Sequence, residues 1–240
     1  MDKKSKKAIP VDGKIVNMYD FIPKELLIKS NNPNKHLHQL DLPFRMCIIA
    51  PSGSGKTNFL VNLLSLFSHG MGTFATITII TSNSDEPLYN WIVSKSNGQI
   101  LIKEGIKSTP PLDKFDKTLN HLVVWDDLVL AKDLTMVETY YLRARKLGVS
   151  CIFISQSYFK IPKMIRSNSN YMILLKLSGN REVNMILSEF GLGISKDQLL
   201  KIYDYATREK FTPLVIDMTK PAIERFRRGL LEIIKSTDLL

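Results

Sequence analysis

The chain has 240 residues, of which 44% are hydrophobic and 23% are charged. This composition excludes a fully disordered chain, because there is enough apolar surface to offset the entropy lost on folding, and the length excludes two full-sized domains with separate cores. The 33 basic and 23 acidic residues leave a net charge of +10, which favours a polyanionic partner such as nucleic acid or an anionic membrane surface. A lysine-rich surface that only aids solubility is the alternative.

The chain carries two cysteines, Cys47 and Cys151, and both lie in apolar runs. That number and placement exclude a disulfide framework and predict a reducing, cytosol-like compartment. The N-terminal residues lack the apolar segment of a secretory signal, and no run approaches the ~18 apolar residues that span a bilayer, so we expect no membrane insertion.

Residues 1–41 combine a lysine cluster at positions 3–7 with prolines and asparagines that interrupt regular structure. We predict an N-terminal basic arm over these residues, with one short helix at 23–29. The lysine cluster is typical of a solvated tail rather than a specific site.

From residue 42, short β-rich apolar runs alternate with longer segments of helical period, as in a mainly parallel sheet covered by helices on both faces. The fold class is therefore α/β, with the core over 42–218 and a basic C-terminal helix over 219–240. The predicted strands are 44–50, 76–81, 121–125, 150–155, 171–177 and 213–217. The predicted helices are 57–67, 87–96, 133–147, 182–190, 196–205 and 223–235.

Residues 50–57 read Ala-Pro-Ser-Gly-Ser-Gly-Lys-Thr, directly after the first strand and at the start of a helix. This context is typical of a phosphate-binding loop, in which glycines turn backbone N–H groups toward phosphate oxygens. Lys56 would then reach the β- and γ-phosphates, and Thr57 would ligate Mg²⁺. The predicted nucleotide contacts are Pro51, Ser52, Gly53, Ser54, Gly55, Lys56, Thr57 and Asn58. Ala50 stands where the motif has glycine, and a chance glycine-serine turn is the alternative.

Two acids, Asp126 and Asp127, follow the apolar strand Leu-Val-Val-Trp. Carboxyl ends of parallel strands meet at one sheet edge, so Asp126 is predicted to hold Mg²⁺ through a water and Asp127 to activate or orient the attacking water. Alone, such a pair is more typical of a turn or a helix cap. The strand over 150–155 ends at Gln156, which we predict to sense the γ-phosphate, an ordinary loop residue being the alternative.

Other residues carry weaker signals. Lys160, Lys163 and Arg166 lie on a predicted loop that would suit DNA contacts. Three arginines near the C-terminus are compatible with a pore, an interface or a plain surface helix: Arg225, Arg227 and Arg228. The four histidines form no metal-ligand pattern, and the guanine-reading motif of GTPases is absent.

Together, the phosphate loop, the acid-ended strand, the segment 143–148 and the Ile-Ser-Gln-Ser sequence at 154–157 resemble the FtsK-HerA superfamily of DNA-pumping ATPases. The similarity covers residues 42–190 and is greatest to its viral branch, the genome-packaging ATPases of poxvirus-like and other large DNA viruses and their satellite viruses. It implies a P-loop NTPase fold with core strand order 5-1-4-3-2 and an additional strand between the Walker A strand (44–50) and the Walker B strand (121–125).

The resemblance further implies ATP and Mg²⁺ as cofactors, double-stranded DNA as substrate, and a homo-oligomeric ring that is a pentamer or a hexamer. It also implies capsid portal or vertex proteins as partners, a place in the viral factory of the host cytoplasm, and association with the virion. In that superfamily an arginine just before the fourth strand reaches the neighbouring subunit's site. Arg145 matches that position best and Arg143 second; the alternative is that both lie on a solvated helix face.

These expectations converge on an ATP-hydrolysing translocase that packages viral double-stranded DNA into a preformed capsid. Two rivals share its phosphate loop. One is a small-molecule P-loop kinase, which would transfer the γ-phosphate to an acceptor other than water. The other is a nucleotide-gated DNA-binding protein that does not hydrolyse ATP.

Overall fold

The structure is a computed structural model that describes residues 13, 15–23, 31–128, 131–191 and 193–235. Apart from Pro23, the short helix predicted at 23–29 lies outside the described residues, as does the lysine cluster at 3–7.

Seven helices and nine strands are described, besides several short 3₁₀ turns. The helices are α1 (Lys35–His38), α2 (Lys56–Phe67), α3 (Pro87–Lys95), α4 (Thr135–Arg143), α5 (Lys163–Asn168), α6 (Asn180–Phe190) and α7 (Lys196–Ala206). The strands are β1 (Arg45–Ile49), β2 (Thr76–Thr81), β3 (Ile100–Glu104), β4 (His121–Asp126), β5 (Val149–Ser155), β6 (Tyr171–Leu174), β7 (Leu214–Asp217), β8 (Phe226–Arg228) and β9 (Glu232–Ile233).

All nine described strands form one sheet in the order β3-β2-β4-β5-β1-β6-β7-β8-β9. Strands β3 to β6 of that order are parallel, and β7, β8 and β9 extend the sheet antiparallel. The segment β6-β1-β5-β4-β2 reproduces the predicted order 5-1-4-3-2, which is confirmed. Two strands, β2 and β3, lie in the chain between β1 and β4. In the sheet β5 separates β1 from β4, so the carboxyl ends of these three strands meet at one edge.

Alternate residues of the central strands face opposite layers of helices, because successive strand side chains point to opposite faces. Cys47 and Ile49 belong to the core under α4 to α7, whereas Met46 and Ile48 belong to the core under α2 and α3. Both faces are therefore buried, which explains why the central strands read as continuous apolar runs.

The predicted C-terminal helix over 219–240 is wrong in the part that the structure describes. Residues 222–224 form a 3₁₀ turn, and the chain then continues as β8 and β9. Phe226 is buried whereas Leu231 is exposed, so the apolar residues do not share one helical face. Gly229 adopts a φ of 61°, which turns the chain between the two strands, and pairing of β8 with β7 overrides the local helical period.

The three arginines of this segment make contacts within the subunit. Arg227 forms an ion pair of 3.2 Å with Asp217, and both side chains are buried. Arg225 donates hydrogen bonds to the carbonyls of Phe190 and Lys220, and Arg228 pairs with Glu209 and Glu232. These contacts stabilise the antiparallel end of the sheet and leave no support for a pore-lining helix.

Residues 31–41 pack onto the domain, so the boundary predicted at residue 41 does not separate an arm from the core. The Asn34 side chain donates hydrogen bonds to the carbonyls of Phe67 and His69, at 3.0 and 2.9 Å. Leu40 is fully buried in the core under α2. Burial of this apolar side chain and hydrogen bonds to two carbonyls, one at the end of α2 and one just beyond it, hold the segment in place.

The helix predicted over 133–147 is shorter in the structure, because α4 ends at Arg143 and residues 144–147 form a 3₁₀ turn. Tightening of a last turn is common where a glycine follows in the left-handed conformation, and Gly148 has a φ of 72°. Strand β3 and helix α5 were not predicted, because both are short segments without a clear period.

His38 is fully buried, and its imidazole packs edge-on against Phe67 with ring centroids 4.8 Å apart. Its Nδ1 atom accepts a hydrogen bond from the Leu40 N–H, so the neutral ring fits this place. Burial, reinforced by the nearby Arg227, lowers the pKa of His38 from 6.5 to about 4.

We expect stability to depend on pH through His38. Between pH 6.5 and pH 4 the unfolded chain binds a proton at His38 that the folded chain does not bind. The free energy of unfolding therefore does not change with pH through His38 above pH 6.5, and it decreases as the pH falls toward 4. The loss amounts to on the order of 3 kcal/mol. Urea unfolding at several pH values should show this decrease in the wild type and in the control variant His36→Gln, which changes an exposed histidine. The decrease should be absent in His38→Gln. The same slope in all three proteins would contradict the assignment.

Candidate nucleotide-binding site

The loop after β1 turns at its two glycines. Gly53 and Gly55 have φ values of 73° and 95°, in the left-handed region that only glycine enters without strain. Ala50 is not in that region, and its N–H donates to the Ser155 carbonyl at 3.1 Å, so the alanine at the first motif position still continues the sheet. The departure from glycine therefore leaves the turn intact.

Helix α2 begins at Lys56 with its N-terminal N–H groups turned toward the loop. It follows Gly55 without a side-chain cap, and its first turn, which includes Thr57 and Asn58, holds no acidic residue. Uncapped N–H groups and the positive end of the helix dipole together attract an anion. The loop and helix thus suit the phosphates of a nucleotide.

A cavity of about 420 Å³ opens at this edge of the sheet. Its walls come from the phosphate loop, the start of α2, the stretch from the end of β2 to the start of α3, the end of β4 with the residue after it, and the residue after β5. They comprise Ser52, Gly53, Gly55, Lys56, Thr57, Asn58, Thr81, Ser82, Asn83, Glu86, Leu88, Tyr89, Asp126, Asp127 and Gln156. Of the predicted loop contacts, Pro51 and Ser54 do not line the cavity; the Pro51 carbonyl instead accepts hydrogen bonds from the Ser54 hydroxyl and the Lys56 ammonium, at 2.6 and 3.0 Å.

Asp126 ends β4 and is buried beside the phosphate loop. The Tyr89 hydroxyl of α3 donates a hydrogen bond of 2.5 Å to its Oδ2 atom. Burial raises the pKa of Asp126, and Asp127 acts in the same direction, whereas the Tyr89 bond and Lys56 oppose the rise. A buried carboxylate that lacks a full counter-charge is suited to a bound cation.

The carboxylate of Asp127 lies beside the end of β5, where Gln156 Nε2 donates a hydrogen bond of 3.0 Å to Asp127 Oδ1. Asp127 has a φ of 54°, which is uncommon for a residue other than glycine, although aspartate and asparagine adopt it more readily than most. The Asp127 side chain and Gln156 are thus in direct contact, and both line the cavity.

Lys56 links the loop to the acids. Burial lowers the pKa of its ammonium, while the charges of Asp126 and Asp127 oppose that shift. Thr57 and Asp126 line the same cavity and supply a hydroxyl and a carboxylate oxygen, the donors that Mg²⁺ prefers. No group of three or more His, Cys, Asp or Glu side chains forms a metal site in the described part of the chain.

The structure does not bring Arg143 and Arg145 to this cavity. Both are exposed and precede β5, whose far end leads to Gln156. A seven-residue strand spans roughly 20 Å, so the two arginines lie at the opposite edge of the sheet from the phosphate loop. Arg143 instead lines a separate cavity with Leu112 and Tyr140.

The basic residues after Gln156 divide into two kinds. Lys160 and Lys163 are exposed. The Arg166 guanidinium lies 4.4 Å from the Tyr158 ring centroid and 3.4 Å from a Glu189 carboxylate oxygen, so it stabilises the local fold.

Sequence reasoning missed Tyr89 as a site residue. It falls within the helix predicted at 87–96, and nothing in the sequence pattern distinguishes a tyrosine that contacts Asp126 from one that only fills the core. Its hydroxyl reaches the acid because α3 packs against α2 and β3, on the face of the sheet where Tyr89 joins the core formed by Leu122 and Val124 of β4.

Comparison with known families decides the relationship, since the model of the family described as poxvirus A32 protein matches residues 34–216. The chain belongs to this family. This A32 family member is also 30% identical over 174 residues to the DNA packaging protein OPG160 of monkeypox virus, covering 67% of this chain and 57% of that protein. The vaccinia virus (strain Copenhagen) relative of the same name is also 30% identical and is covered to 63%. The chain thus spans about three fifths of the curated relatives it matches.

Solved structures share the fold of this A32 family member. The genome packaging NTPase B204 from Sulfolobus turreted icosahedral virus 2, in complex with ATP-gammaS, has a TM-score of 0.53 at 14% identity, covering 80% of this chain and 100% of that chain. The cytoplasmic domain of the Thermomonospora curvata type VII secretion ATPase EccC also has a TM-score of 0.53 at 14% identity, covering 79% of this chain and 25% of that chain. Among the described residues, no helix has the length and apolar character needed to cross a bilayer.

Proposed function

We propose that the protein is an ATP-hydrolysing DNA translocase that packages viral double-stranded DNA into a preformed capsid. The observation that carries this proposal is the meeting of Lys56, Asp126, Asp127 and Gln156 around one cavity, in an A32 family member with relatives that are named DNA packaging proteins. A phosphate loop facing two acids across one cavity suits hydrolysis of a triphosphate.

Each residue of the site has a role in this proposal. The loop from Pro51 to Asn58 holds the phosphates through backbone N–H groups, and the Lys56 ammonium binds the β- and γ-phosphate oxygens. Thr57 and Asp126 hold Mg²⁺, which when bound neutralises charge on the phosphates. Tyr89 orients the Asp126 carboxylate through its hydrogen bond.

Asp127 orients the attacking water and accepts its proton. Gln156, which already bonds Asp127, contacts the γ-phosphate or the water and so couples the presence of the triphosphate to the position of the acid. Hydrolysing relatives in the resembled superfamily often have glutamate where this chain has Asp127, whose side chain is one methylene shorter. The left-handed backbone at Asp127 helps to determine where its carboxylate lies.

Completion of the site requires a second subunit. The exposed positions of Arg145 and Arg143 at the far edge of the sheet suit a contact in which each subunit offers that edge to its neighbour's cavity. A heterologous contact of this kind closes into a ring when the rotation between neighbours permits it, and we propose that this ring is a pentamer or a hexamer. Arg145 is the preferred finger and Arg143 the second choice, with an expected contribution of roughly 10³ to 10⁵ in rate.

The proposed DNA contacts are Lys160 and Lys163, which are exposed on the segment that follows Gln156. Their place directly after the γ-phosphate contact would couple hydrolysis to a movement of the DNA. The net charge of +10 favours the approach of a polyanion. We further propose capsid portal or vertex proteins as docking partners, the viral factory of the host cytoplasm as the place of action, and association with the virion.

The test is an ATPase assay combined with light scattering across a range of protein concentrations, with and without double-stranded DNA. We expect turnover per subunit to rise with assembly and again with DNA, because the finger and the DNA contacts act only in the ring. Fast ATP hydrolysis by a protein that stays monomeric, at a rate that DNA does not change, would contradict the proposed translocase function.

A mixing experiment separates the two arginines and the rival functions. Arg145→Ala and Lys56→Ala subunits should each be inactive alone and regain activity when mixed, because the mixture contains sites with an intact loop and an intact neighbour. Recovery with Arg143→Ala in place of Arg145→Ala would assign the finger to Arg143. Transfer of the γ-phosphate to a small molecule would favour the kinase, and ATP-dependent DNA retention without turnover would favour the nucleotide-gated protein.

A further inference from the structure

Phe211 lies directly against the phosphate loop, although it is far from the loop in sequence. A Cβ atom built on Gly55 would come within 2.4 Å of Phe211 Cδ1 and 2.7 Å of Cε1. One edge of the aromatic ring therefore touches the last glycine before α2. No side chain larger than hydrogen fits at Gly55 while the ring stays in place.

The ring is presented to solvent rather than buried. Phe211 is 44% exposed, so much of its ring is open to solvent. Its φ of 70° lies in the left-handed region, where a bulky side chain costs about 1–2 kcal/mol. The Lys210 ammonium lies 4.9 Å from the ring centroid. An exposed aromatic surface beside a phosphate loop, kept there at a conformational cost, suits a ligand.

The topology sets Phe211 on the side of the loop where the nucleoside of a bound nucleotide must emerge. The acids and Gln156 lie at the ends of β4 and β5, which are on one side of β1, so in the proposed function the γ-phosphate would point that way. On the other side of β1 lie β6 and then β7, and Phe211 belongs to the segment that enters β7. Because β7 runs antiparallel to β6, its start lies at the same sheet edge as the phosphate loop.

We propose that Phe211 stacks on the base of the bound nucleotide. This inference rests on the proposed function and adds to it the residue that holds the nucleoside end of ATP. Stacking uses the π-face that every base presents, so Phe211 contributes affinity for the base without selecting adenine.

Calorimetric titration of the full chain with Mg·ATP and with Mg·tripolyphosphate, which lacks a base, tests the proposal. We expect Phe211→Leu to weaken ATP binding by about 5- to 150-fold and to leave tripolyphosphate binding unchanged, since only the base contact is lost. Phe211→Trp should retain ATP affinity. Phe159→Leu, the matched change at a phenylalanine that is 49% exposed elsewhere, should bind both ligands as the wild type does.

Three outcomes would overturn the stacking role. These are unchanged ATP affinity in Phe211→Leu, an equal loss for ATP and tripolyphosphate, which would mean that the ring only shapes the loop, and tighter binding of both, which would mean that the ring covers the loop. A wild-type chain that binds neither ligand would overturn the proposed function together with this inference, so the two failures are distinguishable.

Discussion

Replacement of Lys56 by alanine is expected to lower kcat/KM for ATP by at least ~100-fold, the size of effect typical for loss of one preorganised charge contact in an active site. The Lys56 ammonium is the basic group that faces both Asp126 and Asp127 in the described cavity. Without it, the triphosphate meets two carboxylates with no ammonium to offset their charge. Phosphate release measures the loss of turnover, and titration with a fluorescent ATP analogue measures the loss of binding.

Lys95→Ala is the matched control for this variant. Lys95 is exposed at the end of α3 and takes no part in the site, so its loss should leave both measurements within a factor of two. Thermal unfolding of Lys56→Ala checks that the fold persists. Wild-type turnover in a folded Lys56→Ala protein would mean that the phosphate loop is not the nucleotide-binding site.

Asp127→Asn is expected to keep ATP binding and to lower turnover by about 10²- to 10⁴-fold, the contribution typical of a general base. Asparagine tolerates the left-handed conformation at this position, and its Oδ1 atom still accepts the hydrogen bond from Gln156 Nε2. The substitution therefore preserves the geometry and removes only the ability to take a proton. Single-turnover phosphate release, with the binding titration beside it, separates the two effects.

The control for this prediction is Asp133→Asn, at an exposed aspartate outside the cavity. It should hydrolyse ATP at the wild-type rate. Equal rates in Asp127→Asn and wild type would mean that another group activates the water, and Asp127 would then be a residue that only positions Gln156.

Local sequence was sufficient wherever the signal was continuous in the chain. The strand, loop and helix around Gly53 and Gly55 follow from glycine's access to positive φ, and the parallel core follows from alternating buried runs and amphipathic segments. The comparison with solved structures agrees with this fold. These features depend on neighbours a few residues apart, so a single sequence contains what is needed to predict them.

The C-terminus shows where local patterns fail. Residues 223–235 have apolar positions at helical spacing. Phe226 nevertheless stabilises the fold more when it is buried in a strand beside β7. The Arg227–Asp217 pair, buried between two strands, has no counterpart in the pattern of either segment. Such contacts join residues from separate elements, and their energy outweighs helix propensity.

The sequence by itself determined the phosphate loop, the acids after β4 and the glutamine after β5, because each residue type lies at the end of a recognisable strand. The tertiary structure alone decided which further side chains complete the site: the Tyr89 hydroxyl on Asp126, the Phe211 ring on Gly55, and the distance of Arg143 and Arg145 from their own subunit's cavity. The physical reason is that sheet order and helix packing, not spacing along the chain, place these groups beside or away from the loop.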